Sequence, residues 1–250
     1  MRFFAAARAH LAAGDGALAE ALLDKAAPRL DAAGLHVAVR RLRAAVAVFF
    51  WRHKDAPAML LAAVAAADPQ DTSLIRELLF EAMQAVLVAR QFTSGTDPIT
   101  VARVALGVPR GSVGTPSVTD QLLDGFATRM AVGYAAAVPL LRGAVEGLFT
   151  DETRAAGIPA TILGWFAADD LWDDRGRLAM LRRAEVIERR RAALGALRVI
   201  LAGLSSSELW AARPAEAEAC YLEAAEISSA DPANPGTATT STTTPATSPP

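Results

Sequence analysis

The sequence predicts an all-α fold, a superhelical array of antiparallel helix hairpins, and three observations predict it. Hydrophobic residues make up 52% of the 250 residues while aromatics are only 6%, so the apolar content is mostly Ala, Leu and Val. Ala and Leu are the best helix formers, and Ala lets helices approach closely. Helical periodicity runs from Met1 to about Ser228, broken only by short Gly, Asp and Pro punctuation. Small residues recur at Ala7, Ala45, Ala85, Gly125 and Ser205, a period of roughly 40 residues that falls in the range of helical-hairpin repeats. The chain is also near the length at which a single globular core gives way to an elongated array.

The elements follow in order. FFAAARAHLAA, a turn at Gly14 to Gly16 and ALAEALLDKAAPRLDAAG make the first pair. VAVRRLRAAVAVFFWRH, a turn around Lys54 and Asp55 and PAMLLAAVAAADP make the second, with Pro57 tolerated where the first helical turn has spare N–H groups. A third helix opens at Asp71 and puts Leu74, Leu78, Ala82, Ala85 and Val86 on one face. Residues 91–117 are the irregular stretch, a long loop in which only PITVARVAL looks helical. SVTDQLLDGFATRMAVG and YAAAVPLLRGAVEGLF restore the pattern, with Gly133 as a helix stop and Pro139 where only a kink or an early turn tolerates it. ATILGWFAADDLW, DDRGRLAMLRRAEVIERRRAALG, LRVILAGLSSSELWAA and PAEAEACYLEAAEIS complete about six hairpins.

Second helices carry a small, large, small face: Ala19, Leu23 and Ala26; Ala137, Leu141 and Ala144; Ala217, Tyr221 and Ala224. Pro57, Leu61 and Val64 match it less well, and the segment around Trp165 hardly at all. The repeat domain therefore spans 1–228. Residues 229–250, rich in Thr and Pro, lack aliphatic periodicity and are expected to be disordered, as an evolved tail or as a truncated or read-through terminus.

Charge and chemistry bound the function. A formal net charge of −2 gives no basic footprint for phosphate backbones, so direct nucleic-acid binding is not expected. Apolar runs such as Ala44 to Trp51 end in charges well short of a bilayer span. The start of the chain lacks a signal-peptide h-region and reads as the first helix. One cysteine, Cys220, reads as a small core hydrophobe in a reducing compartment. His10 falls at an inter-helix packing position, and His36 and His53 lie near helix ends; none has a metal-ligand partner spacing. Asp169, Asp170, Asp173 and Asp174 form the densest carboxylate group, and its place at a helix boundary favours capping over cation binding or acid–base chemistry. Arg182, Arg183, Arg189, Arg190 and Arg191 are interleaved with Glu185 and Glu188 as on a solvated, self-paired helix face. No phosphate-binding loop, dinucleotide fingerprint or nucleophile elbow is present. The expectation is a non-enzyme without cofactor or metal.

QLLDGFATRMAVGYAAAVPLLRGAVEGL (Gln121 to Leu148), AADDLWDD (Ala167 to Asp174), AEAEACYLEAAEI (Ala215 to Ile227) and SLIRELLFEAMQAVLVARQF (Ser73 to Phe92) together resemble the central helical region of large actinobacterial LuxR-type transcriptional regulators, similar to the maltose regulator of enteric bacteria. The use of Arg over Lys, with Lys25 and Lys54 the only lysines, suits a GC-rich genome. The resemblance implies a tetratricopeptide-like sensor array. It covers most of residues 1–228 but neither the family's P-loop ATPase nor its helix-turn-helix, so ATP hydrolysis and DNA binding do not carry over. A cytoplasmic scaffold that binds a protein partner or a small inducer is the implied role, with Arg8, Arg40, Arg76 and Arg129 on the first helices as candidate groove residues. The alternative is a self-associating fragment whose last hairpin, around Leu209, Trp210 and Tyr221, docks on another copy as a homo-oligomer.

Overall fold

The computed structural model describes residues 2–12, 15–26, 33–50, 52–110, 116–149 and 157–230. Among these the regular elements are all helical: α1 (Arg2–Ala12), α2 (Gly16–Ala26), α3 (Ala33–Phe49), α4 (Ala56–Ala66), α5 (Thr72–Ala89), α6 (Pro98–Gly107), α7 (Val118–Ala131), α8 (Tyr134–Gly147), α9 (Gly157–Asp170), α10 (Asp174–Arg191), α11 (Leu194–Trp210) and α12 (Pro214–Ala230), with a short 3₁₀ turn at Arg90–Phe92. Consecutive helices pack on one another along the chain through all twelve described helices. Helices apart in sequence also touch, α1 on α3, α5 on α7, α5 on α9 and α7 on α9. None of the described helices is long and apolar enough to cross a membrane.

Local chemistry explains the boundaries. Asp71, Asp97, Ser117 and Asp173 each accept a hydrogen bond from a backbone N–H of the first helical turn, at 3.0, 2.9, 3.1 and 2.8 Å, satisfying donors that no helical carbonyl reaches. Pro57 and Pro98 occupy the first turns of α4 and α6. Gly133, with φ of +140°, separates α7 from α8 in a backbone region that L side chains rarely adopt. α8 runs on through Pro139, which lies on its exposed side, so the proline is absorbed within a continuous helix. The C-terminal turns share one geometry. Trp172, Ala192 and Ala212 adopt φ of 57°, 52° and 57°, and the next residues donate back five positions, Asp173 to Ala168, Ala193 to Glu188 and Arg213 to Glu208, at 2.9, 3.1 and 2.9 Å. This is the Schellman turn, repeated about every 20 residues, or two helices to a period of about 40.

The core is a chain of clusters. One gathers α1, α2 and a face of α3 (Ala7, Leu23, Val39, Val46); the central one runs from Val37 through α5 to Met180; the third joins Leu181 to α11 and Ala224. α3 contributes opposite faces to two clusters, Val37 and Ala44 to the central one and Val39, Leu42 and Val46 to the first, while α10 joins the central cluster through Met180 and the third through Leu181 and Ala184.

The small, large, small face is buried in α2 and α8, but in α12 its large member, Tyr221, is exposed while Ala217 and Ala224 are buried. Ala137, Leu141 and Ala144 are fully buried, and Arg177, Leu181 and Ala184 follow in the same register about 40 residues on, ahead of Ala217, Tyr221 and Ala224. Arg177 thus stands where the neighbouring hairpins carry alanine. Glycines 125, 164 and 203, spaced about 39 residues apart on α7, α9 and α11, admit close approaches: Leu141 and Leu148 come where a Cβ would sit on Gly125 and Gly164, and Trp165 and Leu181 pack tightly against Gly203. Two expected repeat positions differ: Ala45 is exposed between buried Ala44 and Val46, and α4 buries Pro57, Leu60 and Ala63 in place of Leu61 and Val64. α12 extends through Ser229 and Ala230, beyond the expected boundary at 228, and the expected tail at 231–250 lies outside the described residues, as do Gly14 and Trp51.

Candidate functional site

A cleft of about 700 Å³ opens between α3, α5, α7 and α9. Arg41 of α3, the first turns of α5 and α7, and Pro159 of α9 line it, together with the buried Phe80 and Leu123. Four successive hairpins therefore contribute to one concavity. Its wall is built by ion pairs that cross between hairpins. Arg41 binds Glu81 through Nε and Nη2 at 2.9 and 2.6 Å and Glu77 at 3.0 Å. Arg76 binds Asp120 at 2.5 Å, Asp124 at 2.7 Å and the Val108 carbonyl at 3.2 Å. Arg110 closes on the other oxygen of Asp124 at 2.6 Å.

Electrostatics follow burial. Burial alone would raise the Asp120 carboxyl, but bonds from Ser117 and Arg76 outweigh it and hold the group below the usual carboxylate range. Burial likewise works against the charged forms of Arg41 and Arg76, and their paired carboxylates more than compensate, raising both guanidinium pKa values.

Of the four arginines expected in a groove, only Arg76 lines this cleft, and it does so as a buried strut rather than an open donor. Arg40 turns back to the Ala62 carbonyl of its own hairpin at 2.5 Å. Arg129 pairs with Asp170 at 3.2 Å and lies over the Tyr134 ring. Arg8 is exposed on α1, away from the cleft lining. Arg41, Glu77 and Glu81 were not singled out in the sequence. Their partners lie on the next hairpin, about one repeat away, so only a test for opposite charges at the repeat period could have found them.

The acidic cluster serves as a helix cap and as ion-pair partners. Asp173 caps α10; Asp169 binds Arg177 at 2.8 Å; Asp170 takes Arg129 through its carboxylate and the Tyr134 hydroxyl through its backbone carbonyl. Arg177, 1% exposed, lies with its guanidinium 4.1 Å from the Trp210 ring centre, which links the α9–α10 turn to the end of α11. Burial raises the Asp169 carboxyl despite Arg177. No group of three or more His, Cys, Asp or Glu placed to hold a metal occurs among the described residues.

The arginine-rich face of α10 pairs within and between helices: Arg189 with Glu185 and Glu223, Arg191 with Glu188, and Arg182 with buried Glu208, which Arg213 also holds. Those two arginines overcome burial and lower the Glu208 carboxyl. Cys220 is half-buried against the last core cluster. His10 lies 3.7 Å from Asp15 at the end of α1, and burial lowers His53. His36 sits in the first turn of α3, where the helix dipole disfavours a cation, contrary to the expectation for a helix-end histidine. No family model, curated protein or solved structure matches the chain.

Proposed function

We propose that the chain is a non-catalytic, tetratricopeptide-like helical-repeat scaffold that binds a protein partner or a small inducer in the cleft along its first helices, as the sensor regions it resembles would. The observation that carries this reading is the cleft itself: about 700 Å³, within the range of ligand sites, and assembled from four successive hairpins. A concave face made by stacked repeats is the surface such arrays use for recognition. The chain works in the cytoplasm on this reading and leaves nucleic acid and membranes to other proteins. Ser73 is exposed on the cleft lining, so Ser73→Trp fills the space without touching the core. A thermal-shift screen of peptides and small inducers is expected to return ligands that stabilise the wild type and not Ser73→Trp; ligands that stabilise both equally would place binding elsewhere.

A second reading is self-association through the last hairpin. Tyr221 is 64% exposed on α12, at the register where Leu141 and Leu181 are fully buried, Leu222 beside it is 53% exposed, and Leu209 and Trp210 are exposed at the end of α11. A repeat face left open exposes apolar surface that a second copy can cover. Sedimentation that finds a strict monomer at high concentration, or one unchanged by Tyr221→Asp, removes this reading.

A further inference from the structure

We propose that the occupant of the cleft is a short extended peptide rich in lysine or arginine, an assignment that rests on the cleft being the binding site. The charge on its walls points this way. Asp71, Glu77, Glu81 and Asp120 face the space against only two cations, Arg41 and Arg76. Arg76 is fully engaged: its partners Asp120 and Asp124 are matched by Arg76 and Arg110, so that group is neutral. The surplus sits at Asp71 and at the Glu77 and Glu81 pair, where one guanidinium serves two carboxylates.

Glu77 is 57% exposed and Glu81 31% exposed at the side chain, so both keep lone pairs within reach of an incoming donor. The cleft lining also includes apolar side chains, buried Phe80 and Leu123 and exposed Pro159, beside the acidic ones. A lysine or arginine side chain fits both features, since its methylene stem lies on apolar surface while the charged head reaches the carboxylates. An acidic ligand would face a net repulsion, and a purely apolar one would strip water from the carboxylates without replacing those hydrogen bonds.

The assignment is tested by fluorescence anisotropy with a labelled eight-residue peptide of alternating lysine and alanine, its glutamate counterpart, and unlabelled spermidine. The lysine peptide is expected to bind and the glutamate peptide not. Raising salt from about 0.05 to 0.5 M shrinks the screening length severalfold and is expected to weaken binding about tenfold or more. Glu77→Gln combined with Glu81→Gln removes the surplus and is expected to weaken binding about tenfold, the effect of losing a hydrogen bond to a charged group. Arg41→Gln releases both carboxylates and is expected to tighten it. Opposite shifts from the two sides of one ion pair cannot come from unfolding. Weakening by Arg41→Gln, equal binding of the glutamate peptide, or spermidine binding as tightly as the peptide would each overturn the assignment. If the lysine peptide fails while Ser73→Trp still abolishes another ligand, the cleft remains the binding site and only the cationic class falls.

Discussion

At the scale of single residues, buried arginines tie helices together, Arg76 through Asp120 and Asp124 of α7 and Arg177 through Asp169 at the end of α9. Arg76 and Arg177 are 6% and 1% exposed, and removing one partner of such a pair leaves a charge without compensation. Arg76→Ala is therefore expected to cost about 3 kcal/mol or more, measured by urea unfolding. Acid should act on the same contacts. Asp120 and Glu208 have lowered folded-state pKa values, so their contribution is present above the ordinary carboxylate pKa and is lost as pH falls through the lowered values. Asp169 runs the other way: its pKa is raised, so its contribution is present at acid pH and is lost as pH rises past the ordinary value. Stability is expected to fall between neutral pH and about pH 3, with a smaller fall in Asp120→Asn; an equal fall in that variant would show that Asp120 is not part of the acid limb. These long-range pairs were the least legible part of the sequence. Arg40 was singled out and Arg41 does the work, because one residue rotates a helix position by about 100° and nothing local says which face the next hairpin will meet. Arg177 escaped notice for a related reason, since a search for small residues passes over an arginine standing in an alanine's place.

At the scale of elements, boundaries were readable because they rest on local chemistry. Asp71, Ser117, Asp173, Pro57 and Gly133 all mark ends that the sequence predicts. The Schellman turns were not readable, since Trp172, Ala192 and Ala212 take the left-handed conformation without being glycine. That conformation costs a residue with a Cβ roughly 1 kcal/mol. Ala192→Gly and Ala212→Gly are each expected to raise stability by up to about 1 kcal/mol, and Gly133→Ala to lower it by about 1–3 kcal/mol, as read from denaturant midpoints. Pro139 deletes a hydrogen bond inside α8 while lying on its exposed side; Pro139→Ala is expected to stabilise by about 1–3 kcal/mol, and a loss of stability would mean that the proline shapes the helix rather than burdening it.

At the scale of the whole molecule, composition and periodicity made the all-helical class legible, while the cleft was not, because it exists only once residues of α3, α5, α7 and α9 are brought together. If the molecule is a repeat array, its helix pairs depend on their neighbours and not on a single shared core, and the cleft is carried mainly by α3, α5 and α7. The most direct test is the thermal melt, followed by circular dichroism at 222 nm, of a chain ending at residue 193, which lacks α11, α12 and everything after them. A cooperative melt with helicity per residue close to that of the parent over residues 2–193 is predicted, because the central cluster around Leu78, Met83 and Leu122 is left whole. A chain that no longer melts cooperatively would contradict the array and point to one indivisible core.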